Sequence, residues 1–94
     1  MIVAIDYDNT YTCDPLSWDE VIETLKKSGH TVYCVTMRYE ELHESMEVYA
    51  ALNGKVDAIF CTGRKAKRDF MEGMGINISV WIDDMPLAIL KDFK

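Results

Sequence analysis

The sequence predicts an α/β domain in which a four-stranded parallel sheet lies between layers of helices. Short runs of apolar, β-branched residues alternate along the chain with longer stretches of helical periodicity. Glycines at 29, 54 and 75 follow the helical stretches, as helix C-termini favour. Because strands that alternate with helices are joined by right-handed crossovers, this pattern indicates a parallel sheet. We therefore expect a three-layer domain with helices on both faces of the sheet.

The strands are assigned to residues 2–6, 31–35, 56–60 and 78–82, and each range is rich in apolar and β-branched residues. The first helix is predicted to begin at a capping box formed by Ser17 and Glu20 and to end at Gly29. Two further helices are predicted at 40–52 and 64–74, and Pro86 opens a short final one. The buried faces predicted from helical spacing are Trp18, Val21, Ile22 and Leu25; Leu42, Met46 and Tyr49; Ala66, Phe70 and Met74; and Leu87 and Leu90, with Phe93 as a further candidate on the last helix.

Composition sets the broad class of the protein. The 94 residues suffice for one domain, 1–94, and no apolar stretch approaches the roughly 20 residues that span a bilayer. We expect no signal peptide, because the N-terminus enters the first strand without a basic region. Three widely spaced cysteines argue against a disulfide framework and favour a reducing, cytoplasmic location. A net charge of −6 argues against broad, non-specific nucleic-acid binding.

Polar residues collect where the predicted strands end. Asp6 and Asp8 follow the first strand, and their i, i+2 spacing points both side chains the same way. Thr36 follows the second strand, and Asp83 with Asp84 follows the fourth. Since parallel strands bring their carboxyl ends to one edge, these residues are expected to meet there. Carboxylate oxygens suit Mg²⁺. Asp83 and Asp84 could alternatively cap the last helix before Pro86.

The order of these residues resembles the haloacid dehalogenase-like (HAD) superfamily of phosphotransferases. Its first motif is an apolar strand followed by DxDxT, here Asp6, Asp8 and Thr10, and its second is a Thr or Ser ending the next strand, here Thr36. The third is a lysine, for which Lys65 and Lys67 both qualify with Lys67 slightly favoured, and the fourth is an acidic pair. The resemblance implies a Rossmann-like sandwich with strand order 4-1-2-3.

The resemblance also implies a Mg²⁺-dependent phosphomonoesterase. Asp6 attacks phosphorus to form an aspartyl-phosphate, and Asp8 acts as general acid and then general base. Thr36 and the lysine contact the phosphate. The implied metal ligands are Asp6, Asp8 through its backbone carbonyl, and Asp83 as the first choice for a direct side-chain ligand. Asp84 also belongs to the metal site, but it is expected to contact the ligands rather than the ion itself.

The segments between the motifs are too short to hold the cap that many family members carry. A capless core leaves the site open to a nucleotide or nucleic-acid end, or to closure by a second copy in a homodimer. The basic run Arg64, Lys65, Lys67 and Arg68 beside the opening favours such phosphates.

Two other functional classes remain open. One is a non-catalytic metal-binding or regulatory domain that keeps the same fold. The other is a phospho-acceptor module similar to response-regulator receivers, whose acceptor Asp ends the third strand. Here that position carries Cys61 and Thr62.

Overall fold

The computed structural model describes residues 1–94 and contains an α/β domain built on one four-stranded parallel sheet. The strands are β1 (Ile2–Ile5), β2 (Thr31–Thr36), β3 (Ala58–Cys61) and β4 (Val80–Ile82). Their order across the sheet is β3-β2-β1-β4, so that from the β4 edge the strands follow as β4, β1, β2 and β3. The prediction of an α/β fold with a four-stranded parallel sheet is confirmed.

Four helices connect and follow these strands. They are α1 (Pro15–Lys27), α2 (Leu42–Leu52), α3 (Lys67–Glu72) and α4 (Leu87–Leu90), and a single 3₁₀ turn, Tyr11–Cys13, precedes α1. None of them combines the length and the apolar character that crossing a membrane requires.

The start of α1 differs from the prediction. Asp14 is the N-cap, its side chain accepts a hydrogen bond from the Ser17 amide at 3.3 Å, and Pro15 occupies the first turn. The predicted capping box at Ser17 and Glu20 is wrong, because both residues already lie inside the helix. Proline at the first helical position needs no amide partner, and this allows the helix to begin earlier.

Two apolar clusters hold the helices against the sheet. In the larger one, Val32 and Cys34 of β2 pack with Ile22 of α1 and with Val48 and Leu52 of α2. The smaller cluster contains three buried residues, Ala4, Val35 and Met71, of which the last belongs to α3. Successive residues of β2 enter different clusters because side chains alternate along a strand.

The predicted buried face of α2 is wrong. Leu42 and Met46 are exposed by 74% and 59%, whereas Val48 and Leu52 are fully buried. The helix carries two apolar stripes, and the stripe that packs against the sheet is the one with Val48 and Leu52. Tyr49 of the predicted stripe is only partly buried, and its hydroxyl donates to the Glu40 carboxylate at 2.8 Å.

The last helices also differ from their predictions. α3 begins only at Lys67, because Gly63 and Arg64 adopt left-handed backbone angles, and it ends before Met74, which is 47% exposed. α4 has a single turn that buries Ala88, so the predicted core residues Leu87 and Leu90 stay exposed by 57% and 55%.

Candidate active site

The chain turns sharply where β1 ends, and this turn separates two carboxylates from the core. Tyr7 is buried in the larger cluster, while Asp6 and Asp8 on either side of it face the cavity at the sheet edge. Asn9 takes a left-handed φ of 61°, which Asn tolerates better than most residues. The Asp6 amide still donates to the Ile82 carbonyl at 2.9 Å. The turn therefore fixes Asp6 beside the end of β4.

The two acidic ends of the sequence motif meet in space. Carboxylate oxygens of Asp6, Asp83 and Asp84 all lie within 4.8 Å of one another. Asp6 is 8% exposed, and the Asp83 side chain is 2% exposed. The carboxylate of Asp8 lies outside this group and has different partners.

Lys67 is the cation of this buried group. Its side chain is 2% exposed, and Nζ lies 2.8 Å from Asp6 Oδ1 and 2.6 Å from Asp83 Oδ2. The first residue of α3 thus joins the ends of β1 and β4. Lys65, the alternative, is 69% exposed and lies 3.9 Å from Asp92. The structure therefore brings Lys67 to the carboxylates and leaves Lys65 outside.

The environment of Asp6 opposes its charge. Burial raises the pKa of Asp6 to about 7, although the ion pair and hydrogen bond from Lys67 act in the opposite direction. The nearby charge of Asp83 adds to the increase. Two carboxylates that share one ammonium group in a buried site are thus only partly compensated.

Thr10 completes the buried group. Its Oγ1 lies 3.3 Å from Asp6 Oδ2 and 3.0 Å from Asp84 Oδ1, and it accepts a hydrogen bond from the Asp84 amide at 3.1 Å. One hydroxyl proton serves one carboxylate at a time. The amide of Met85 donates to Asp83 Oδ1 at 2.9 Å. Asp83 and Asp84 therefore face the site, although neither lies within α4 or caps it with its side chain.

Asp8 is held by an arginine that the sequence analysis did not assign. Nε and Nη2 of Arg38 donate to the two oxygens of Asp8 at 2.9 and 2.7 Å. These hydrogen bonds hold the pKa of Asp8 below its usual value. Arg38 also donates to the Glu44 carbonyl at 2.8 Å and lies 3.0 Å from Glu47 Oε2, which ties the pair to α2. The sequence contained one signal for this role. Arg38 follows Thr36 by two positions and therefore lies near the same edge of the sheet.

Thr36 is placed as expected at the carboxyl end of β2. It is 1% exposed, its Oγ1 accepts a hydrogen bond from the Arg38 amide at 3.3 Å, and it lines the same cavity. The cavity has a volume of about 310 Å³, and its lining includes the whole predicted site except Lys65. Arg64 of the predicted basic run also lines it, and so do Phe93 and Lys94, which the sequence did not indicate as site residues.

The residues present fit a hard divalent cation. The group offers three carboxylates, and oxygen is the ligand that Mg²⁺ prefers. Ligands on opposite sides of Mg²⁺ lie roughly 4.2 Å apart, from a metal–oxygen distance of about 2.1 Å. Oxygens within 4.8 Å can therefore reach one ion after small side-chain shifts. A cation there would also compensate the excess negative charge around Lys67.

Comparisons of the chain with family models, with curated proteins and with solved structures found no match.

Proposed function

We propose that the protein is a Mg²⁺-dependent phosphomonoesterase with a capless, Rossmann-like, three-layer core of the HAD type. The observation that carries the proposal is the buried contact of Lys67 with both Asp6 and Asp83. Burying two acids and one lysine carries a desolvation cost that their mutual attraction only partly offsets, and such perturbed groups are most common at functional sites. A surface-turn role for the acidic pairs does not account for this burial.

Asp6 is the proposed nucleophile. One oxygen of its carboxylate attacks the phosphorus of a phosphate monoester, and the bond from phosphorus to the leaving oxygen breaks. Lys67 and Thr10, at 2.8 and 3.3 Å, orient the carboxylate. Lys67 and Thr36 are the proposed donors to the phosphoryl oxygens.

Asp8 is the proposed proton-transfer group. It protonates the leaving oxygen in the first step, and in the second it takes a proton from the water that attacks the aspartyl-phosphate. Its two hydrogen bonds from Arg38 hold it as a carboxylate, which suits the second step directly. For the first step, we propose that the phosphoryl oxygens compete for Arg38, which frees Asp8 to bind a proton.

Asp6, Asp83, Asp84 and the Asp8 carbonyl are the proposed holders of Mg²⁺. When bound, the ion supplies positive charge that offsets repulsion between a carboxylate nucleophile and a phosphate. Asp83 remains the first choice for a direct ligand, although its contact with Lys67 leaves Asp84 as the alternative. A cytoplasmic location, and a homodimer in which a second copy closes the open site, remain predictions from the sequence.

The test is release of phosphate from an aryl phosphate in the presence and absence of Mg²⁺. We expect turnover by the native protein with Mg²⁺, none after chelation, and none by Asp6→Asn. Lys65→Ala is the control and should retain activity, because Lys65 is exposed and does not line the cavity. Tight Mg²⁺ binding without turnover would instead favour the non-catalytic metal-binding domain.

A further inference from the structure

The cavity has an outer wall that the proposed chemistry does not use. It is formed by Arg64 of the β3–α3 loop and by Phe93 near the C-terminal end of the described chain. The Arg64 carbonyl accepts a hydrogen bond from the Phe93 amide at 2.7 Å, and Asp92 accepts one from the Ala66 amide at 2.7 Å. These two bonds hold the backbone of the terminal segment against the loop, which brings Phe93 to the cavity that Arg64 also lines.

The ring of Tyr39 packs against the loop that carries Arg64. Gly63 packs against the ring so closely that a Cβ there would lie 3.1 Å from it. The next residue, Arg64, is held at φ 70°, and its guanidinium carbon lies 5.3 Å from the ring centroid. A left-handed, non-glycine residue is strained and persists only when its surroundings fix it, as ligand-binding segments often do.

The guanidinium of Arg64 is paired more weakly than the cationic groups of Lys67 and Arg38, which line the same cavity. Lys67 contacts two carboxylates at 2.8 Å or less, and Arg38 holds Asp8 with two hydrogen bonds. Arg64 donates to the Met37 carbonyl at 3.2 Å, and its nearest carboxylate oxygen lies 3.6 Å away. Its side chain is 35% exposed. The outer wall therefore offers the cavity a planar, cationic guanidinium from Arg64 and an aromatic ring from Phe93.

We propose that this wall binds the leaving group and that the leaving group is a nucleoside. The inference rests on the proposed phosphomonoesterase function. Nucleobases stack on aromatic rings and on arginine guanidinium planes, and such stacking depends little on which base is present. The substrate class is thus a phosphate monoester on a nucleoside, either free or at the end of a nucleic-acid strand.

The experiment compares kcat/KM for a nucleoside 5′-monophosphate, a nucleoside 3′-monophosphate, a short 3′-phosphorylated oligonucleotide and ribose 5-phosphate. We expect the best nucleoside substrate to exceed ribose 5-phosphate, which lacks the base, by about tenfold or more. The oligonucleotide distinguishes a strand end from a free nucleotide. Ribose 5-phosphate measures the phosphate chemistry alone.

Arg64→Gly is the informative variant, because glycine accepts the left-handed backbone and the change should not impair folding. We expect it to remove the preference for nucleosides while kcat/KM for ribose 5-phosphate changes less than about threefold. Arg64→Lys keeps the positive charge but removes the planar guanidinium, so it should also lose most of the preference for nucleosides. Lys65→Ala is the neighbouring control and should keep the preference.

Equal kcat/KM for ribose 5-phosphate and the nucleotides would overturn the inference and leave the hydrolase in place. An equal loss on all substrates in Arg64→Gly would also overturn it, because Arg64 would then serve the phosphate. If no substrate releases phosphate, the hydrolase proposal fails. Calorimetric titration of a nucleoside monophosphate into the Asp6→Asn protein, with and without Arg64→Gly, then decides whether the wall binds nucleosides.

Discussion

The two carboxylates of the first motif stand two residues apart, yet the structure gives them opposite environments. The inner half of the site, Asp6 with Lys67 and Asp83, is almost inaccessible to solvent. The outer half, Asp8 with Arg38, is open, and the Asp8 side chain is 47% exposed. Burial raises the pKa of Asp6 to about 7, whereas hydrogen bonds from Arg38 lower the pKa of Asp8.

The two halves also differ in how they affect the stability of the folded protein. When both carboxylates are ionised, the inner half holds more negative charge than its one lysine compensates, and this destabilises the folded state. The outer half is a satisfied ion pair that depends on α2 for its geometry. Two identical residue types, two positions apart at the end of β1, thus acquire different chemistry from their partners.

The largest expected effect comes from removing the inner cation. Lys67→Met leaves two buried carboxylates without their partner, and we expect the free energy of unfolding to fall by about 3–5 kcal/mol. Urea unfolding in the presence of a chelator measures this loss. Added Mg²⁺ should recover part of it, because the ion replaces the missing charge.

Lys65→Met is the control for that variant, and we expect a change within about 0.5 kcal/mol, since its only ion pair is exposed. Equal effects of the two substitutions would contradict the division into inner and outer halves.

The next effect concerns pH and the inner carboxylate. The folded protein holds a proton on Asp6 up to about pH 7, whereas the unfolded chain releases it near its ordinary value of 3.8. Metal-free stability therefore falls as pH rises between these values. Asp6→Asn should remove this dependence and be more stable than the native protein at pH 8, by about 1 kcal/mol or more. A variant that is less stable at every pH would refute the raised pKa.

The outer half is tested by Arg38→Gln. Because Arg38 lowers the pKa of Asp8, its loss should raise that pKa. The kcat/KM profile reports the first step, in which Asp8 must carry a proton, so its basic limb should shift to higher pH. We also expect kcat/KM at neutral pH to fall roughly 10- to 100-fold, since Asp8 loses its orientation. An unchanged limb with a uniformly lower rate would mean that Arg38 acts on the phosphate alone.

The smallest effect lies outside the site and tests the start of α1. Asp14→Ala should lower the free energy of unfolding by about 1 kcal/mol, because its side chain caps the helix. Ser17→Ala should change it by less than about 0.5 kcal/mol, because Ser17 lies within the helix and contributes its amide. A larger loss of unfolding free energy in Ser17→Ala than in Asp14→Ala would instead support the capping box predicted from the sequence.

The sheet and the meeting of its strand ends could be predicted from the sequence. Apolar runs between helical stretches indicate parallel strands, and parallel strands bring their last residues to one edge. This placed Asp6, Thr36 and Asp83 together without any knowledge of contacts. It also placed a basic helix start nearby, where Lys67 in fact contacts two of the acids.

Helix faces and long-range partners could not be predicted in the same way. α2 carries two apolar stripes, and only packing decides that Val48, not Met46, is buried. The contact between Asp8 and Arg38 joins residues 30 apart, through a loop whose path the local sequence does not determine. The wall at Phe93 depends on hydrogen bonds to a left-handed loop, which no periodicity indicates.

The most direct test of the account asks whether Asp6 carries the phosphoryl group. Asp8→Asn removes the base for the second step, and an aryl phosphate, whose leaving group needs little protonation, allows the first. Rapid acid quench with Mg²⁺, followed by peptide mass spectrometry, should find a phosphoryl group on Asp6. Turnover by the native protein with no phosphoryl group on Asp6 of the variant, or with one on another residue, would contradict the account.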